Sequence, residues 1–239
     1  LELAASMQEM GHTVSIIELE DRLLKRVTAP IMSTFFQDLH ESKGVNVLCN
    51  QSIQSIKVDK KGNYLVTTDN GTIIDTNILI AGIGAIPNDD LAQNAGIKCK
   101  NGILIDEYCR TNVPHVFAAG DCANGFNNLL GYSIRLESVP NANAQAKVVA
   151  SSIIGNEDLN RELPWFWSDQ YDLKLQMAGL SSGYDECHII GEIDSAEFIA
   201  CYGKDGYLIA VDSVNQSKQF MLFKKALGNG FQLKMSLIK

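Results

Sequence analysis

The chain has 239 residues, a net charge of -8 at neutral pH and 46% hydrophobic residues. Its charged share of 20% is too low, and its hydrophobic share too high, for an intrinsically disordered protein. The acidic balance also argues against a general nucleic-acid binder.

The first section, residues 1–88, is predicted to have α/β character. An opening helix over 1–10 has no N-cap residue ahead of it, so we expect the sequence to start inside a helix and to be a fragment of a longer chain. The elements that follow are a buried strand at 13–17, a helix at 30–43, strands at 45–48, 53–58, 64–68 and 72–74, and a returning buried strand at 76–80.

Two further sections follow. Residues 89–158 are predicted to contain a helix at 90–95, strands at 103–105 and 115–118, and a long helix at 140–154 that starts with a proline. Residues 159–239 change character, with strands predicted at 172–178, 187–193, 196–202 and 206–212 and a helix at 216–227. This last section is typical of a small α+β domain with an antiparallel sheet.

The six cysteines form no CxxC pair, so they predict neither a zinc ribbon nor a redox-active dithiol, and no metal site is expected. Unpaired cysteines fit a reducing cytoplasm. The longest apolar run, 78–86, is too short to cross a bilayer, and no membrane association is expected.

Two patterns in the first section could bind a nucleotide. Glu18 ends a predicted strand, the position at which a Rossmann unit hydrogen-bonds an adenosine ribose, although it could equally be a polar residue at a strand end. A carboxylate there favours NAD, whereas Arg22 nearby could accept the phosphate of NADP. Gly82 lies in the segment AGIGAIPN (81–88), whose two glycines would let backbone approach a flat ligand or would simply end a strand.

The sharpest pattern is TNVPHVFAAGD at 111–121. It combines a turn, a short buried strand, Gly120 and Asp121. The glycine removes a side chain where a ligand would approach, and the aspartate presents a carboxylate to hydroxyl groups just beyond the end of a strand. The alternative is an aspartate that merely begins a loop.

Two more segments surround the long helix. In RLESVPNA (135–142), Val139 and Pro140 stand at the start of this helix. Its positive end could face a carbonyl oxygen or an anionic ring, although the motif alone is more typical of an ordinary surface helix start. In PWFWSDQY (164–171), Trp165 and Trp167 would share one face of a strand, either in a core or at a docking surface.

Together these residues resemble the FAD-dependent pyridine nucleotide oxidoreductases. TNVPHVFAAGD is similar to the second FAD motif of that family, and IAGIGAIPN to the motif where its nicotinamide domain returns to its FAD domain. RLESVPNANAQAK and PWFWSDQYDLKLQMAGL resemble the putidaredoxin reductase type and the ferredoxin reductases of dioxygenase systems. The resemblance covers about residues 1–227.

The resemblance implies a glutathione-reductase-like fold in three parts: an NAD-binding domain at 1–88 without its first strand and glycine loop, the returning part of the FAD-binding domain at 89–158, and a C-terminal α+β interface domain at 159–239. It implies electron transfer from NADH through FAD to a [2Fe-2S] ferredoxin or a rubredoxin that serves an oxygenase. It implies that FAD is bound by Asp121, Gly120, Val139, Pro140 and Trp167. It implies that NADH is bound by Glu18 and Gly82, and that the partner protein docks on Trp165 and Trp167. No acid–base residue is implied, because hydride transfer to a flavin needs none.

The rival interpretations are another flavoenzyme, of the NADH oxidase or monodehydroascorbate reductase type, and an inactive truncated chain. Because the AMP half of the FAD site and the pyrophosphate loop for NADH are missing, we expect the 239 residues alone to bind both cofactors poorly. A disulfide reductase is rejected, since it would need a catalytic histidine near its end and the four histidines lie at 12, 40, 115 and 188.

Overall fold

A computed structural model describes residues 1–238 and shows mixed helices and strands. The helices are α1 (Glu2–Glu9), α2 (Pro30–Ser42), α3 (Asp90–Asn94), α4 (Val139–Ile153) and α5 (Ser217–Gly228), and a 3-10 turn follows at Met235–Leu237. The strands are β1 (Ser15–Ile17), β2 (Asn46–Leu48), β3 (Ile53–Val58), β4 (Tyr64–Thr68), β5 (Ile73–Thr76), β6 (Ile103–Ile105), β7 (Ala123–Asn127), β8 (Tyr132–Arg135), β9 (Trp165–Gln170), β10 (Leu173–Gly179), β11 (Glu186–Glu192), β12 (Glu197–Lys204) and β13 (Tyr207–Val214).

The chain divides into two compact units. The first contains Leu1–Gly84 together with Ser168–Lys174 and Glu192–Ala196, and the second contains the other described residues. The division into three domains at 1–88, 89–158 and 159–239 stays a prediction.

The first unit contains a parallel pair and an antiparallel meander. Strands β1 and β2 pair in parallel, and β3, β4 and β5 form a three-stranded antiparallel sheet. The β3–β4 turn is stabilised by Asp59, whose Oδ1 accepts the backbone N–H groups of Lys61 at 2.7 Å and Asn63 at 2.9 Å. Helix α2 buries Met32, Phe36 and several neighbours on one face, as its apolar spacing predicts.

The predicted returning strand at 76–80 is wrong. Strand β5 ends at Thr76, and the next residues, 77–80, belong to no strand. Ile78 is 63% exposed and Ile80 is 54% exposed. No strand among the described residues lies beside this segment, so its backbone forms no ladder and the two isoleucines stay largely in solvent.

The predicted strand at 115–118 is also wrong. Only one bridge forms there, between Arg110 and Phe117. His115 has a positive φ of 64°, which belongs to a turn. The two following strands, β7 and β8, were not predicted, because polar residues and glycine in ANGFN give a weak strand signal.

Two further sheets lie wholly or mainly in the second unit. In the smaller, β6 and β7 run parallel and β8 is antiparallel to β7. The larger has five strands in the order β11-β12-β13-β10-β9, and β12 joins β13 through a tight hairpin. Asp205 and Gly206 have φ values of 52° and 78°, as expected for the two-residue turn that Asp-Gly favours.

Helix α5 packs against this larger sheet. Phe220 of the helix is fully buried in a core that it shares with residues of the central strands. The other core members are Leu163, Ala178, Ile199, Cys201, Leu208, Val211, Leu227 and Met235. This core fixes the position of α5 on the sheet, and with it the side chains that α5 turns towards β9.

Candidate functional site

The N-terminus of α4 is the first component of the candidate site. Ser138 caps the helix, its hydroxyl oxygen accepting the N–H of Asn141 at 3.3 Å. Pro140 occupies the first turn, where its missing N–H costs nothing. Val139, before it, is 61% exposed. The positive end of α4 therefore meets solvent beside an apolar side chain, a surface suited to the edge of an anionic ring.

The loop at Gly120 and Asp121 packs against the same helix. The N–H of Gly120 donates to Oε1 of Gln145 at 2.7 Å, and its φ of 81° favours glycine. A Cβ at Gly120 would lie 3.5 Å from the Cβ of Ala142, on the side of the helix. Asp121 is exposed, and within residues 1–238 its carboxylate has no hydrogen-bond or ion-pair partner. The carboxylate is therefore available to ligand hydroxyl groups.

Arg135 supports this loop, a role that sequence reasoning missed. Its side chain is only 11% exposed and forms an ion pair with Glu137. One terminal nitrogen donates to the backbone oxygen of Asp121 at 3.0 Å, and Nε donates to Oδ1 of Asn101 at 3.2 Å. Arg135 therefore fixes the backbone that carries the candidate carboxylate.

Two buried amides of α4 were missed as well. Besides the bond from Gly120 to Gln145, Asn141 donates from Nδ2 to the backbone oxygen of Leu136 at 3.1 Å. Asn141, Gln145 and Val148 are buried at helical spacing. The available signal was polar residues on the inner face of an amphipathic helix, where buried amides must find partners.

A cleft of about 650 Å³ in the second unit brings several predicted residues together. It is lined by Val139 and Pro140 from α4, by Trp165 and Trp167 from β9, and by Lys224 from α5, among others. The two indole rings lie 5.3 Å apart at an interplanar angle of 34°. The Nζ of Lys224 lies 3.6 Å from the centre of the Trp165 ring.

Glu18 and Gly82 belong to the first unit. Glu18 directly follows β1, as predicted, and its Oε1 accepts the N–H of Glu20 at 3.0 Å. Arg22 donates to the backbone oxygens of Thr28 at 3.0 Å and Lys25 at 3.1 Å. These bonds hold the guanidinium within its own loop, which weakens the case for a phosphate contact.

Gly82 is exposed, and a Cβ placed on it would meet no atom within 4 Å. The space at this position is open, and a role of Gly82 in ligand binding stays a prediction.

The residues present fit part of an FAD site. A free carboxylate at Asp121, a helix N-terminus at Val139 and a closely packed glycine at 120 have the chemistry to bind a ribityl chain and a flavin ring. Among residues 1–238 no cluster of three or more metal-binding side chains is found. No helix in the described part of the chain is long and apolar enough to cross a membrane.

Comparison with known proteins places these features in a family. The model of the pyridine nucleotide-disulphide oxidoreductases matches residues 1–146, and that of the reductase C-terminal domain matches residues 165–238. A ferredoxin–NAD(P)(+) reductase of Sphingomonas sp is 40% identical over 227 residues, which are 94% of this chain and 55% of the relative. Putidaredoxin reductase of Pseudomonas putida is 35% identical, over 100% of this chain and 57% of its own length.

Solved structures of ferredoxin reductases are also similar to this chain. The ferredoxin reductase for the CYP199A2 system from Rhodopseudomonas palustris superposes with a TM-score of 0.95 at 34% identity, covering 98% of this chain and 58% of that one. The covalent putidaredoxin reductase–putidaredoxin complex gives 0.94 at 35% identity, covering 99% and 57%. The chain thus spans about half the length of the relatives it matches.

The likeness to these reductases confirms the Rossmann-like fold class, and the two matched models confirm the resemblance seen in the motifs. The chain belongs to the pyridine nucleotide-disulphide oxidoreductase family, in the group that carries the reductase C-terminal domain.

Proposed function

We propose that this chain is part of an FAD-containing, NADH-dependent reductase that passes electrons to a small iron–sulfur protein, a [2Fe-2S] ferredoxin, in the service of an oxygenase. A rubredoxin is the alternative acceptor. Relatives named as ferredoxin reductases support this, including one of an anthranilate 1,2-dioxygenase system. The unpaired cysteines support a cytoplasmic location.

The observation that carries the proposal is the cleft in the second unit. The start of α4, a feature suited to a flavin ring, and a partly exposed tryptophan pair, a feature suited to protein docking, line the same cleft. An electron acceptor seated on the tryptophans would lie next to the flavin, as electron transfer between proteins requires.

Each residue has a proposed task. Bound FAD would supply the redox chemistry, accepting a hydride from NADH and releasing electrons singly. The end of α4 at Val139 and Pro140 would stabilise negative charge on the ring system, and Asp121 would bind the ribityl hydroxyl groups. Gly120, with its positive φ, would set the backbone conformation that leads into Asp121, and Trp167 would close the outer side of the ring.

The first unit would bind the nicotinamide cofactor. Glu18 would accept a hydrogen bond from the adenosine ribose, and its charge would repel a 2′-phosphate, so NADH is the proposed donor. The retention of Arg22 within its own loop supports that preference. Gly82 would leave room for the nicotinamide ring.

A second candidate function is NADH oxidation without a protein acceptor. A water-forming NADH oxidase from Lactobacillus brevis superposes with a TM-score of 0.84, but at 18% identity this likeness shows the fold alone. The tryptophan pair beside the cleft favours a protein acceptor, because an oxidase has no use for an exposed aromatic docking surface.

The test compares the 239 residues alone with a chimera that adds the remaining part of the Sphingomonas reductase. Each is incubated with FAD, desalted, and assayed with NADH and either a [2Fe-2S] ferredoxin or oxygen. We expect the chimera to retain flavin and to reduce the ferredoxin much faster than oxygen. Rapid oxygen consumption with no ferredoxin reduction would establish the oxidase instead. Flavin retention and turnover by the 239 residues alone would refute the expected inactivity of this stretch.

A further inference from the structure

Lys224 stands out as a partly buried cation with an aromatic neighbour. It lies on α5, its Nζ is 3.6 Å from the centre of the Trp165 ring, and it forms no ion pair within residues 1–238. Burial lowers the pKa of its ammonium group, and the negative charge of Glu162 opposes that effect. A lysine side chain is long enough to turn its charge towards water, so its position over the ring calls for an explanation.

The contact with Trp165 supplies one. An ammonium group over the face of an indole is attracted by the negative face of the ring, and the attraction grows as water is removed. Trp165 also packs against the core cluster under α5. The indole is therefore held between that core and a charge.

Trp165 in turn contacts Trp167. The two residues are two positions apart on the same face of β9, their rings lie 5.3 Å apart, and Trp167 is 42% exposed. A ring that faces solvent has many accessible rotamers unless a neighbour restricts it. The Trp165 ring provides that restriction.

We propose that Lys224 is a positioning residue that fixes the Trp165–Trp167 pair in the orientation in which Trp167 receives an acidic protein partner. The proposal deepens the proposed function, on which its docking part rests. The positive charge of Lys224, which no carboxylate in the described residues pairs, adds electrostatic attraction for such a partner.

Near-ultraviolet circular dichroism of the tryptophans tests the positioning. Trp165 and Trp167 are the only two tryptophans, so the indole signal reports this pair. We expect Lys224→Met to reduce the signal markedly and Lys224→Arg to keep it, since a guanidinium also stacks on indole. Lys225→Met is the matched control, an exposed lysine on the same helix, and should leave the signal unchanged.

Folding is checked by the far-ultraviolet spectrum, and Trp167→Phe confirms that the signal needs both rings. An unchanged near-ultraviolet spectrum in folded Lys224→Met would overturn the proposal. So would equal losses in Lys224→Met and Lys225→Met, because the effect would then not depend on the contact with Trp165.

The docking part is measured on the FAD-loaded chimera. For NADH-driven reduction of a [2Fe-2S] ferredoxin, we expect Lys224→Met to raise KM about three- to tenfold with kcat nearly unchanged. Reduction of ferricyanide, which needs no protein docking, is measured on the same variants, and the rise in KM for ferredoxin should exceed any change in the ferricyanide rate. A changed spectrum with an unchanged KM for ferredoxin would overturn the docking part alone. Absence of ferredoxin reduction in the unsubstituted chimera would instead refute the proposed function, while the spectra still judge the role of Lys224.

Discussion

Asp121 is the residue on which the flavin site depends most directly. Its carboxylate is exposed and unpartnered within the described residues, while its backbone oxygen is held by Arg135. A rigid backbone with an unengaged side chain is what a ligand-binding group requires.

We therefore expect Asp121→Ala to weaken FAD binding by the chimera about 10- to 100-fold, the worth of a hydrogen bond to a charged group. Titration of the apoprotein with FAD, followed by flavin fluorescence, measures the change. Stability should be almost unaffected, because the carboxylate makes no hydrogen bond or ion pair within residues 1–238. Asp194→Ala, which removes another exposed carboxylate, is the control. An equal loss of affinity in both variants would argue that Asp121 has no specific role.

Asp212 shows the opposite situation, a carboxyl group enclosed by the larger sheet. It is 2% exposed, and it accepts a hydrogen bond from the hydroxyl of Tyr202. Burial raises the pKa of Asp212 to about 7, and the bond from Tyr202 only partly offsets this. Folding thus favours the protonated acid.

The raised pKa makes the free energy of unfolding depend on pH. The contribution of Asp212 to stability is fully present below its unfolded pKa of about 4 and is lost as the pH rises through its folded pKa of about 7. Asp212→Asn replaces the carboxyl group by an amide that cannot ionise, so it should remove the pH dependence that Asp212 causes. Because burial lowers the pKa of His40 and gives the chain a second pH dependence, the useful quantity is the difference between the two proteins. Urea unfolding between pH 4 and 8 should show the parent losing stability relative to Asp212→Asn. A constant difference would contradict the raised pKa.

At the level of elements, α4 organises the candidate site. Its first turn forms part of the cleft, and its buried amides hold the loops that precede it in the chain. The sequence predicted the helix from its proline, and the family resemblance implied that Asp121 and Val139 bind the same ligand. It did not predict which hydrogen bonds hold these loops. The bond from Gly120 to Gln145 joins residues 25 positions apart, so it depends on tertiary packing and leaves no local pattern in the sequence.

Gln145→Leu tests the importance of the hydrogen bond between Gly120 and Gln145. It removes the acceptor for the Gly120 N–H and leaves a buried donor unpaired, which costs about 1–3 kcal/mol of the free energy of unfolding. Asn143→Leu is the matched control on the same helix, since that amide is exposed and makes no hydrogen bond within the described residues. Its effect should stay within about 0.5 kcal/mol. Denaturant unfolding of the 239-residue chain compares the two, and equal effects would show that the bond to Gly120 is unimportant.

Strand prediction succeeded or failed according to how local its cause is. The strands predicted at 196–202 and 206–212 form as β12 and β13, because runs of apolar residues separated by a glycine-containing turn are short-range signals. The segment at 76–80 has an equally clear apolar signal, yet it forms no strand, because a strand also needs a neighbour. Sequence reasoning therefore identified a segment with strand potential but could not establish whether its partner is present.

Across the whole molecule, stability should be unevenly distributed, and this can be measured residue by residue. Strands β12 and β13 lie at the centre of the five-stranded sheet, and 198–203 are all buried. By contrast, no backbone N–H of 79–86 donates a hydrogen bond within the described residues, and Ile83 and Ile86 are each 94% exposed. Amides that are bonded and buried exchange only through large unfolding events, whereas unbonded exposed amides exchange without any opening.

Hydrogen–deuterium exchange with mass spectrometry should therefore give complete labelling of peptides over 79–86 at the earliest times and the slowest labelling in β12 and β13. In the chimera, protection of 79–86 would mean that this segment gains a hydrogen-bonding neighbour there, which would explain its strand-like sequence. Protection of 79–86 in the 239 residues alone would contradict the absence of a pairing strand. Fast exchange in both proteins would instead mean that the apolar character of 78–86 serves contact with a ligand or another protein rather than sheet formation.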